Sequence, residues 1–336
     1  MFMDIKEILT ETSPDRPYQV SVQKIERIHP HYHNSALELI FCLGGSVTVI
    51  SSHQRIVLNE GEMFTLDFGD IHYLYSDTDN TTLIFNLDLT VLSTPWDDLK
   101  YHFFTCESCH CYPYQQKPME QVKDIVLSLA YSALSGNISK YGKSDLRAVN
   151  RLVSLFIKYF CWLNYENYDD YMNENFYNRY YHIQGYCIEN FREKITVAQL
   201  AQMEHISENY LSQFMSKTAF YSYSQMIGYI RCYEAEHLLL LTDMPNYDIS
   251  YACGFSDPKY FYKTFRQWWG CTPTEHRQSC REYMKQPASY DVLSDEAAAA
   301  FVRDYITNHH IEKVFREFSG RGQLTLPSSA CFVYCL

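Results

Sequence analysis

The spacing of hydrophobic residues changes along the chain, from a strand-like pattern at the start to a helical pattern later. Over the first ninety positions, β-branched and aromatic residues occur in short runs, and turn residues separate these runs at intervals typical of antiparallel strands. The runs are residues 47–51, 55–58, 63–66 and 82–87. The pattern predicts an antiparallel β-barrel or β-sandwich.

After this region, apolar residues recur with the 3.6-residue period of an amphipathic helix. Two segments, residues 119–133 and 145–163, each predict a helix. Their apolar positions include Val122, Ile125, Val126 and Leu129 in the first, and Leu146, Val149, Leu152, Val153 and Phe156 in the second. We therefore expect a helical connector to follow the β-rich part.

Residues 249–277 contain a succession of helix-boundary signals. A glycine ends one short helix, an N-cap with proline begins a second, another glycine ends it, and a capping box begins a third. In order, these residues are Gly254; Asp257 with Pro258; Gly270; and Thr272, Pro273 and Glu275. The order predicts a helix-turn-helix, which presents its second helix to DNA.

The second helix of this segment is amphipathic. Its packing face is expected to hold Tyr260, Phe261 and Phe265, and its outward face Lys259, Tyr262, Lys263 and Arg266. Lysine and arginine suit guanine edges or phosphates, so the outward residues are candidate DNA contacts.

The whole segment resembles the second helix-turn-helix of the AraC/XylS family of bacterial transcription regulators. That family's pattern runs I-A-x-x-x-G-F-x-x-x-x-Y-F-x-x-x-F and, after four intervening residues, G-x-x-P-x-x-x-R, and only Ser250 departs from it, at the usual alanine. The resemblance implies an all-α DNA-binding domain with a first helix-turn-helix about fifty residues upstream.

A degenerate repeat is present at that distance. Thr196 is placed to cap a short helix with Leu200, Ala201 and Ile206, and Ser207 is placed to cap a second. A shift of fifty residues pairs Leu211 with Phe261, and it places Asn209, Ser212, Gln213 and Ser216 on the outward face. Asn and Gln suit adenine edges. Phe220 replaces the usual glycine of this first motif, so we expect a reshaped or strained turn there.

Between the two motifs, residues 222–242 predict one helix, with Arg231 and Ala235 at positions that match the family. Such a helix is roughly 30 Å long, close to the ~34 Å between successive major-groove faces of B-DNA. One chain is therefore expected to read two adjacent grooves of double-stranded DNA.

The β-rich part resembles the cupin family through two motifs. The first consists of His31, His33, Glu38 and Gly45, and the second of Gly61, Gly69 and His72, with Asp67 at the usual proline. The resemblance implies a metal set of His31, His33, Glu38 and His72. Three roles stay open for these residues: a divalent metal site, the lining of an effector site, or structural hydrogen bonding. Aromatic walls for a sugar or another small polar molecule are expected from Tyr32, Phe41, Phe64, Phe68, Tyr73 and Tyr75.

Charge argues against general nucleic-acid affinity, since the formal net charge is −12 and the pI is about 5.5. The imbalance is uneven, however: residues 254–285 contain six basic residues against Asp257, Glu275 and Glu282. We expect phosphate contacts there, and non-specific binding that weakens steeply with salt.

The chain contains 12 cysteines. No basic-plus-apolar leader opens it and no uncharged apolar run of membrane-spanning length occurs, so reduced thiols in the cytoplasm and no membrane partner are expected. Cys106, Cys109 and His110 spell C-x-x-C-H, and with His102 and Cys111 they allow a zinc site. Haem attachment needs an exported protein, and ordinary thiols are the default interpretation.

The predicted fold is α+β and multidomain. It comprises a cupin-like effector-sensing domain (1–95), a helical connector or dimerisation region (96–178), a double helix-turn-helix domain (179–285) and a C-terminal extension (286–336). In the extension, residues 295–318 predict one or two amphipathic helices broken near Asn308. Three roles stay open for it: support of the DNA-binding domain, partner binding, or partial disorder.

The predicted function is non-enzymatic: transcription regulation in response to a small-molecule effector. The expected partners are double-stranded DNA, the effector, RNA polymerase and a second copy of the chain, and no cofactor is expected beyond a divalent metal in the cupin. The connector helices commonly carry dimer contacts in the family, although packing within one chain explains their pattern equally well. The alternatives are a cupin metalloenzyme, an oxygenase or isomerase with a helical interaction domain, and a scaffold that does not bind DNA.

Overall fold

The structure, a computed structural model, describes residues 3–52, 54–91, 99, 101–136, 138–162 and 173–311, and only the backbone of 138–144. The strands are β1 (Lys6–Glu7), β2 (Tyr18–Tyr32), β3 (Ala36–Ser51), β4 (Gln54–Asn59), β5 (Met63–Leu66), β6 (His72–Tyr75), β7 (Asn80–Asp88) and β8 (Ser289–Val292). The α-helices are α1 (Gln116–Leu134), α2 (Ile138–Tyr159), α3 (Glu174–Glu189), α4 (Val197–Met203), α5 (Glu208–Met215), α6 (Tyr223–Leu241), α7 (Asn246–Ala252), α8 (Pro258–Trp269), α9 (Pro273–Tyr283) and α10 (Asp295–Asn308).

Two long strands, β2 and β3, build a barrel because each pairs with several partners along its length. The first half of β2 pairs with β7 and its second half with β6. The first half of β3 likewise pairs with β7 and its second half with β6. The antiparallel ladder β2–β7–β3–β6 therefore returns to β2, and β4 and β5 pair with β3. All four strand runs predicted from the sequence lie within these strands.

Alternate strand residues fill the interior of the barrel, as the two-residue period of a strand requires. The interior apolar residues are Ile25, Ile40, Cys42, Val47, Val49, Ile56, Leu58, Phe64, Leu66, Leu74 and Ile84. The other face of β3 carries Leu37, Leu39, Phe41 and Leu43, which pack into a larger cluster shared with the helices. One strand therefore contributes to two cores.

The connector helices α1 and α2 pack against each other within the chain. Both helices were predicted, although α2 begins at Ile138 rather than 145, and position 163 lies outside the described residues. Of their listed apolar positions, all but the half-buried Leu146 are buried: Val122, Ile125, Val126, Leu129, Val149, Leu152, Val153 and Phe156. Packing within one chain thus accounts for these residues, and they are not free to form a dimer contact.

Helices α7, α8 and α9 form what we call the downstream unit, and their boundaries follow the predicted signals. Gly254 and Gly270 adopt left-handed conformations with φ of 79° and 70°. The Asp257 side chain accepts the Lys259 amide N–H at the start of α8. Thr272 and Glu275 form the expected capping box of α9.

Helices α4, α5 and the beginning of α6 form the upstream unit. Thr196 and Ser207 cap α4 and α5 as predicted, but Ile206 lies in the turn after α4 rather than within it. Phe220 does not adopt a positive φ, because α5 ends early at Met215 and the left-handed residue is Tyr221, with φ of 57°. The turn is therefore reshaped, and Phe220 is fully buried.

The C-terminal segment returns to the barrel. Strand β8 pairs antiparallel with β2, where Lys24 is opposite Asp291. Helix α10 packs against α1, and its Tyr305 contacts Phe41 with ring centroids 5.9 Å apart. This helix ends at Asn308, near the predicted break, and the tail from residue 312 lies outside the described residues. Residues 289–308 thus extend the barrel and its helical cover.

Candidate nucleic-acid interface and barrel site

The outward face of α8 is cationic. Lys259, Lys263 and Arg266 are exposed, whereas Phe261 and Phe265 are fully buried. Two residues differ from the prediction. Tyr260 was placed on the packing face but is 43% exposed. Tyr262 was placed outward but is half-buried, because its hydroxyl accepts an N–H from the Asn246 side chain at 3.0 Å.

The outward face of α5 is polar and carries no cation. The predicted outward residues Asn209, Ser212, Gln213 and Ser216 are all exposed, and so is the acidic Glu208 at the start of the helix. The hydroxyl of Ser212 donates to the Glu208 carbonyl and that of Ser216 to the Gln213 carbonyl, so both hydroxyls remain available only as acceptors. Tyr210 is 48% exposed, at the position equivalent to Tyr260. Each unit therefore presents an exposed tyrosine, although Tyr260 was predicted to face the interior.

The buried residues of the two units correspond closely. Leu211 and Phe261 are both fully buried, and the side chains of Met215 and Phe265 are at most 1% exposed. Helices α4 and α7 end in the same way, since the amide of Ile206 donates to the carbonyl of Ala201 and that of Phe255 to the carbonyl of Ser250. This is the hydrogen-bond pattern of a Schellman helix end.

The four residues of the cupin-like metal set come together at one end of the barrel. All four are buried, and one ligand atom from each lies within 4.8 Å of the others. The Nε2 atoms of His33 and His72 lie 2.8 Å and 3.1 Å from the two oxygens of Glu38, and His31 Nε2 lies 3.9 Å from Oε2. The register explains the convergence, since β2 pairs His31 directly with His72 of β6.

Comparison with known proteins bears on the helical part. Residues 200–279 match the family model described as a helix-turn-helix domain. The chain contains an AraC-type helix-turn-helix domain. It is similar to the uncharacterized HTH-type transcriptional regulator YijO of Escherichia coli (strain K12), with 33% identity over 104 residues, which are 31% of this chain and 36% of that protein.

A longer match extends over most of the chain. The uncharacterized HTH-type transcriptional regulator SACOL0084 of Staphylococcus aureus (strain COL) is 22% identical over 304 residues, which are 89% of this chain and 39% of that protein. The chain thus spans less than half the length of either relative. Among solved structures, the C-terminal domain of the two-component response regulator yesN from Fusobacterium nucleatum matches with 29% identity and a TM-score of 0.28, covering 30% of this chain and 98% of that one.

Backbone hydrogen bonds orient the three histidines of the barrel site. The Nδ1 atoms of His31, His33 and His72 lie 2.9 Å, 2.7 Å and 2.8 Å from the carbonyl oxygens of His29, Ile8 and Asp70. A carbonyl oxygen only accepts, so each Nδ1 must carry the proton. In a neutral ring, Nε2 is then a lone-pair acceptor that faces Glu38, which is itself an acceptor.

This arrangement favours a positive charge beside the carboxylate, either a proton on His33, whose hydrogen bond with Glu38 raises its pKa despite burial, or a bound cation. Burial alone would raise the pKa of Glu38, but the facing histidines lower it well below its usual range. Burial lowers the pKa of His72 to about 4, which favours its neutral form. A divalent cation satisfies all four groups at once, and backbone carbonyls that fix the imidazole tautomer are a common second layer around metal ligands. The residues present thus fit a metal.

Asp67, at the usual proline of the second cupin motif, has a structural role. Its carboxylate accepts the backbone N–H groups of Phe104 and Phe68, at 2.8 Å and 3.0 Å. Burial raises the pKa of Asp67 well above its usual range. Asp67, which replaces the usual proline, therefore ties the segment that follows the barrel to the barrel's rim.

Of the six aromatic residues predicted to line the effector site, the structure places only Phe64 in the barrel interior. Phe41 lies on the opposite face of β3, against Tyr305. Tyr32 contacts His237 of α6, and Tyr73 contacts Tyr283 of α9 with tilted rings. The aromatic wall expected for a sugar is thus not assembled around the histidines. Phe68 and Tyr75 also point elsewhere, Phe68 towards Phe104 and Tyr75 towards Tyr283.

The barrel and the AraC-type domain touch through several hydrogen bonds that the sequence did not reveal. Tyr233 of α6 donates to the Phe68 carbonyl at 2.9 Å, and Tyr283 of α9 donates to the Leu74 carbonyl at 2.8 Å. Glu236 of α6 accepts from Ser52 of the barrel at 3.2 Å and lies 2.7 Å from His276 Nε2.

A cavity of about 340 Å³ adjoins these contacts. It lies between the end of α8 and the barrel, and its lining includes Tyr73, Glu236, Trp269 and His276. Burial would lower the pKa of His276, but hydrogen bonds with Cys271 and Glu236 and the charge of Glu236 raise it to about 9. The barrel rim therefore contacts the downstream unit directly.

Among the described helices, none has both the length and the apolarity needed to cross a membrane.

Proposed function

We propose that the protein is a transcription regulator that binds double-stranded DNA sequence-specifically through two helix-turn-helix motifs. The observation that carries the proposal is the pairing of a shared buried frame with two different exposed faces on α5 and α8. Helices whose outer faces only contact solvent would not need a repeated buried frame. Two helices that contact different bases would need one, because the frame holds both in the same way while their outer faces differ.

The two faces suit different contacts. Lys259, Lys263 and Arg266 of α8 are suited to phosphates and guanine edges, and Asn209 and Gln213 of α5 to adenine edges. The exposed Tyr210 and Tyr260 add apolar surface beside the polar residues, which suits thymine methyl groups or sugars. Affinity should come mainly from α8 and a larger part of the sequence preference from α5.

Helix α6 sets the distance between the two faces. It has 19 residues, so it is roughly 28 Å long at about 1.5 Å per residue. The successive major grooves on one face of B-DNA are ~34 Å apart. Arg231 anchors α6 by donating to the carbonyls of Phe191 and Glu193 at 2.8 Å and 2.9 Å. The proposal places the two units in adjacent grooves of one duplex.

The barrel is proposed to be the effector-responsive part, with His31, His33, Glu38 and His72 holding a divalent metal. The metal, when bound, would supply a Lewis-acidic position for an oxygen or nitrogen atom of the effector. The histidines position their Nε2 atoms through carbonyl hydrogen bonds, and the surrounding barrel excludes water. The contacts from Ser52, Phe68 and Leu74 to α6 and α9 support a route by which the occupied barrel biases the DNA-binding faces.

A matched pair of double variants tests DNA binding. Selected genomic fragments provide the operator, and fluorescence anisotropy of the whole chain gives the affinity. Gln213→Ala with Lys263→Ala should weaken binding at least tenfold, whereas Gln116→Ala with Lys117→Ala, which removes the same residue types from exposed positions of α1, should leave it unchanged. Equal affinities of both variants with unchanged circular dichroism would remove α5 and α8 as the readers.

The buried ligand cluster also favours a second candidate, a metalloenzyme of the oxygenase or isomerase kind. Metal analysis of the purified chain distinguishes the two functions when it is combined with DNA binding. Stoichiometric iron or manganese that is lost in the His31→Ala and His72→Ala double variant, in a chain without operator affinity, would favour the enzyme. Metal-dependent operator affinity would favour the regulator.

A further inference from the structure

A second group of metal-binding side chains lies on the segment that follows the barrel. Residues Ser108–His110 form a short 3-10 helix. The segment is fastened to β5, because Phe64 forms a β-bridge with Glu107 and the Met63 amide donates to the Ser108 hydroxyl at 2.7 Å. Cys109 also packs against the apolar interior of the barrel. The turn is thus held at the barrel's rim.

Three different ligand types converge on this turn. His110 Nδ1 lies 3.0 Å from Glu107 Oε2 and 3.4 Å from Cys109 Sγ. All three ligand atoms lie within 4.8 Å of one another. In a tetrahedral zinc site with ordinary bond lengths, neighbouring ligand atoms are about 3.4–3.6 Å apart. Binding therefore needs only small side-chain shifts.

The backbone explains why these residues meet. Side chains three residues apart in a 3-10 turn eclipse each other, which brings Glu107 over His110. The set differs from the one that the C-x-x-C-H spelling suggested. Cys106 is fully buried, and His102 lies within hydrogen-bond distance of the Tyr177 hydroxyl and stacks on Tyr181.

Cys111 is a neighbour rather than a member of the set. Its thiol donates to the Glu107 carbonyl, with Sγ 3.4 Å from the oxygen. It therefore satisfies its hydrogen bond without a metal, and it serves as a natural control for Cys109.

We propose that Glu107, Cys109 and His110 form a site for Zn²⁺, separate from the histidine–glutamate cluster inside the barrel. The three side chains supply an oxygen, a sulfur and a nitrogen ligand, and water completes the tetrahedron. On binding, the S–H bond of Cys109 breaks, the sulfur electron pair forms the S–Zn bond, and the proton passes to solvent. A cysteine thiol is ordinarily protonated at neutral pH, so this release should be measurable.

The site differs chemically from the barrel cluster in having a thiolate. Co²⁺ is therefore the probe of choice, since sulfur bound to cobalt gives a charge-transfer absorption that imidazole and carboxylate ligands do not give. Titration of Co²⁺ into the full reduced chain should produce this band, saturating at one equivalent beyond any metal that the barrel cluster holds, with one proton released from the thiol. Zn²⁺ added afterwards should remove the band by displacement.

Variants assign the band to the turn. Cys109→Ser should abolish it, and His110→Ala or Glu107→Gln should weaken Co²⁺ binding at least tenfold. Cys111→Ser should retain it, as should the His31→Ala and His72→Ala double variant. His110 is largely exposed, with 70% of its side chain accessible, so its replacement does not threaten the fold. Absence of the band in the wild type, its persistence in Cys109→Ser, or its loss in Cys111→Ser would each overturn the proposal, which does not depend on DNA binding.

Discussion

The upstream and downstream units use one buried frame for two different surfaces. Leu211, Phe214 and Met215 of α5 and Phe261, Thr264 and Phe265 of α8 occupy matching buried positions. Apart from the equivalent Tyr210 and Tyr260, the exposed positions differ: α5 presents amides, hydroxyls and the carboxylate of Glu208, and α8 presents two lysines and an arginine. Packing requirements thus constrain the inner positions, while the outer positions are free to differ with the ligand.

The turns of the two units differ as well. The left-handed residue after the first helix is Gly254 downstream but His205 upstream, with φ of 79° and 55°. After the second helix, Gly270 is left-handed, whereas its counterpart Phe220 is buried against Trp162 with ring centroids 4.7 Å apart. In the downstream unit, the backbone preference of glycine determines the shape of the turn. In the upstream unit, the packing of the Phe220 side chain determines it. Replacements at these positions should therefore act differently in the two units.

The largest effect is expected from Phe220→Ala. Truncating a buried aromatic residue typically costs about 3–5 kcal/mol of stability, and Phe220 contacts Trp162, Tyr229 and Trp268. Gly270→Ala should cost only about 1–2 kcal/mol, the penalty of a left-handed alanine. Urea unfolding followed by circular dichroism measures both. Equal losses for the two variants would contradict the assignment of packing to one turn and backbone preference to the other.

The first turns supply the next comparison. Gly254→Ala should destabilise the fold by about 2–3 kcal/mol, from left-handed strain and steric conflict, because an added Cβ would lie 2.6 Å from the Phe191 carbonyl oxygen. His205→Gly should instead stabilise it by about 1 kcal/mol, since glycine adopts this φ without penalty. The same unfolding assay reports both signs, and destabilisation by His205→Gly would show that the imidazole makes a contact that outweighs the strain.

The third helices of the units differ in their response to pH. The buried Met226 of α6 corresponds to His276 of α9, whose pKa is raised to about 9. The protonated form is stabilised, so this contribution is complete below about pH 6.5 and is lost as the pH rises through 9. Linkage predicts a loss of about 2 kcal/mol between pH 7 and 9. The variant His276→Met copies the upstream residue. The difference between its unfolding free energies at pH 7 and pH 9 should be about 2 kcal/mol smaller than in the wild type. An equal difference in both proteins would show that His276 does not cause the pH dependence.

The last comparison separates the two faces that are proposed to bind DNA. Lys263→Ala should weaken operator binding by about 1 kcal/mol and lower the slope of log affinity against log salt by about 0.9, because one phosphate contact is lost. Gln213→Ala should weaken binding by about 1–3 kcal/mol only on operators with the preferred base, and leave the slope unchanged. Anisotropy titrations at four salt concentrations distinguish these results. A change of slope for Gln213→Ala would mean that α5 contacts the backbone rather than bases.

The features that local chemistry determines could be predicted from the sequence. Thr272, Glu275 and Pro258 specify helix starts within four residues of chain, and the structure places all three as expected. The sequence could not show that β8 pairs with β2, because that contact joins residues more than 260 positions apart. The partial burial of Tyr262 also has no local signal, because it depends on a hydrogen bond with Asn246 of another helix.

In the barrel site, some features could be predicted from the sequence and others could not. The histidines and Glu38 were identified through motif spacing, and their convergence follows from strand register. The misplaced aromatic residues could have been recognised by strand alternation alone. Phe41 is three positions from Glu38, and Tyr32 lies between His31 and His33, so both must point to the opposite face. The contacts of Glu236 with Ser52 and His276 had no such signal, because they depend on how the barrel meets α6 and α9.

A hydroxyl-radical footprint of the whole chain on its operator tests the central claim most directly. The account predicts two protected segments about 10 base pairs apart on one face of the duplex. Asn209→Ala with Gln213→Ala should weaken protection mainly in one segment, and Lys263→Ala with Arg266→Ala mainly in the other. A single protected segment, or segments that respond identically to both double variants, would contradict the reading of adjacent grooves by the two units.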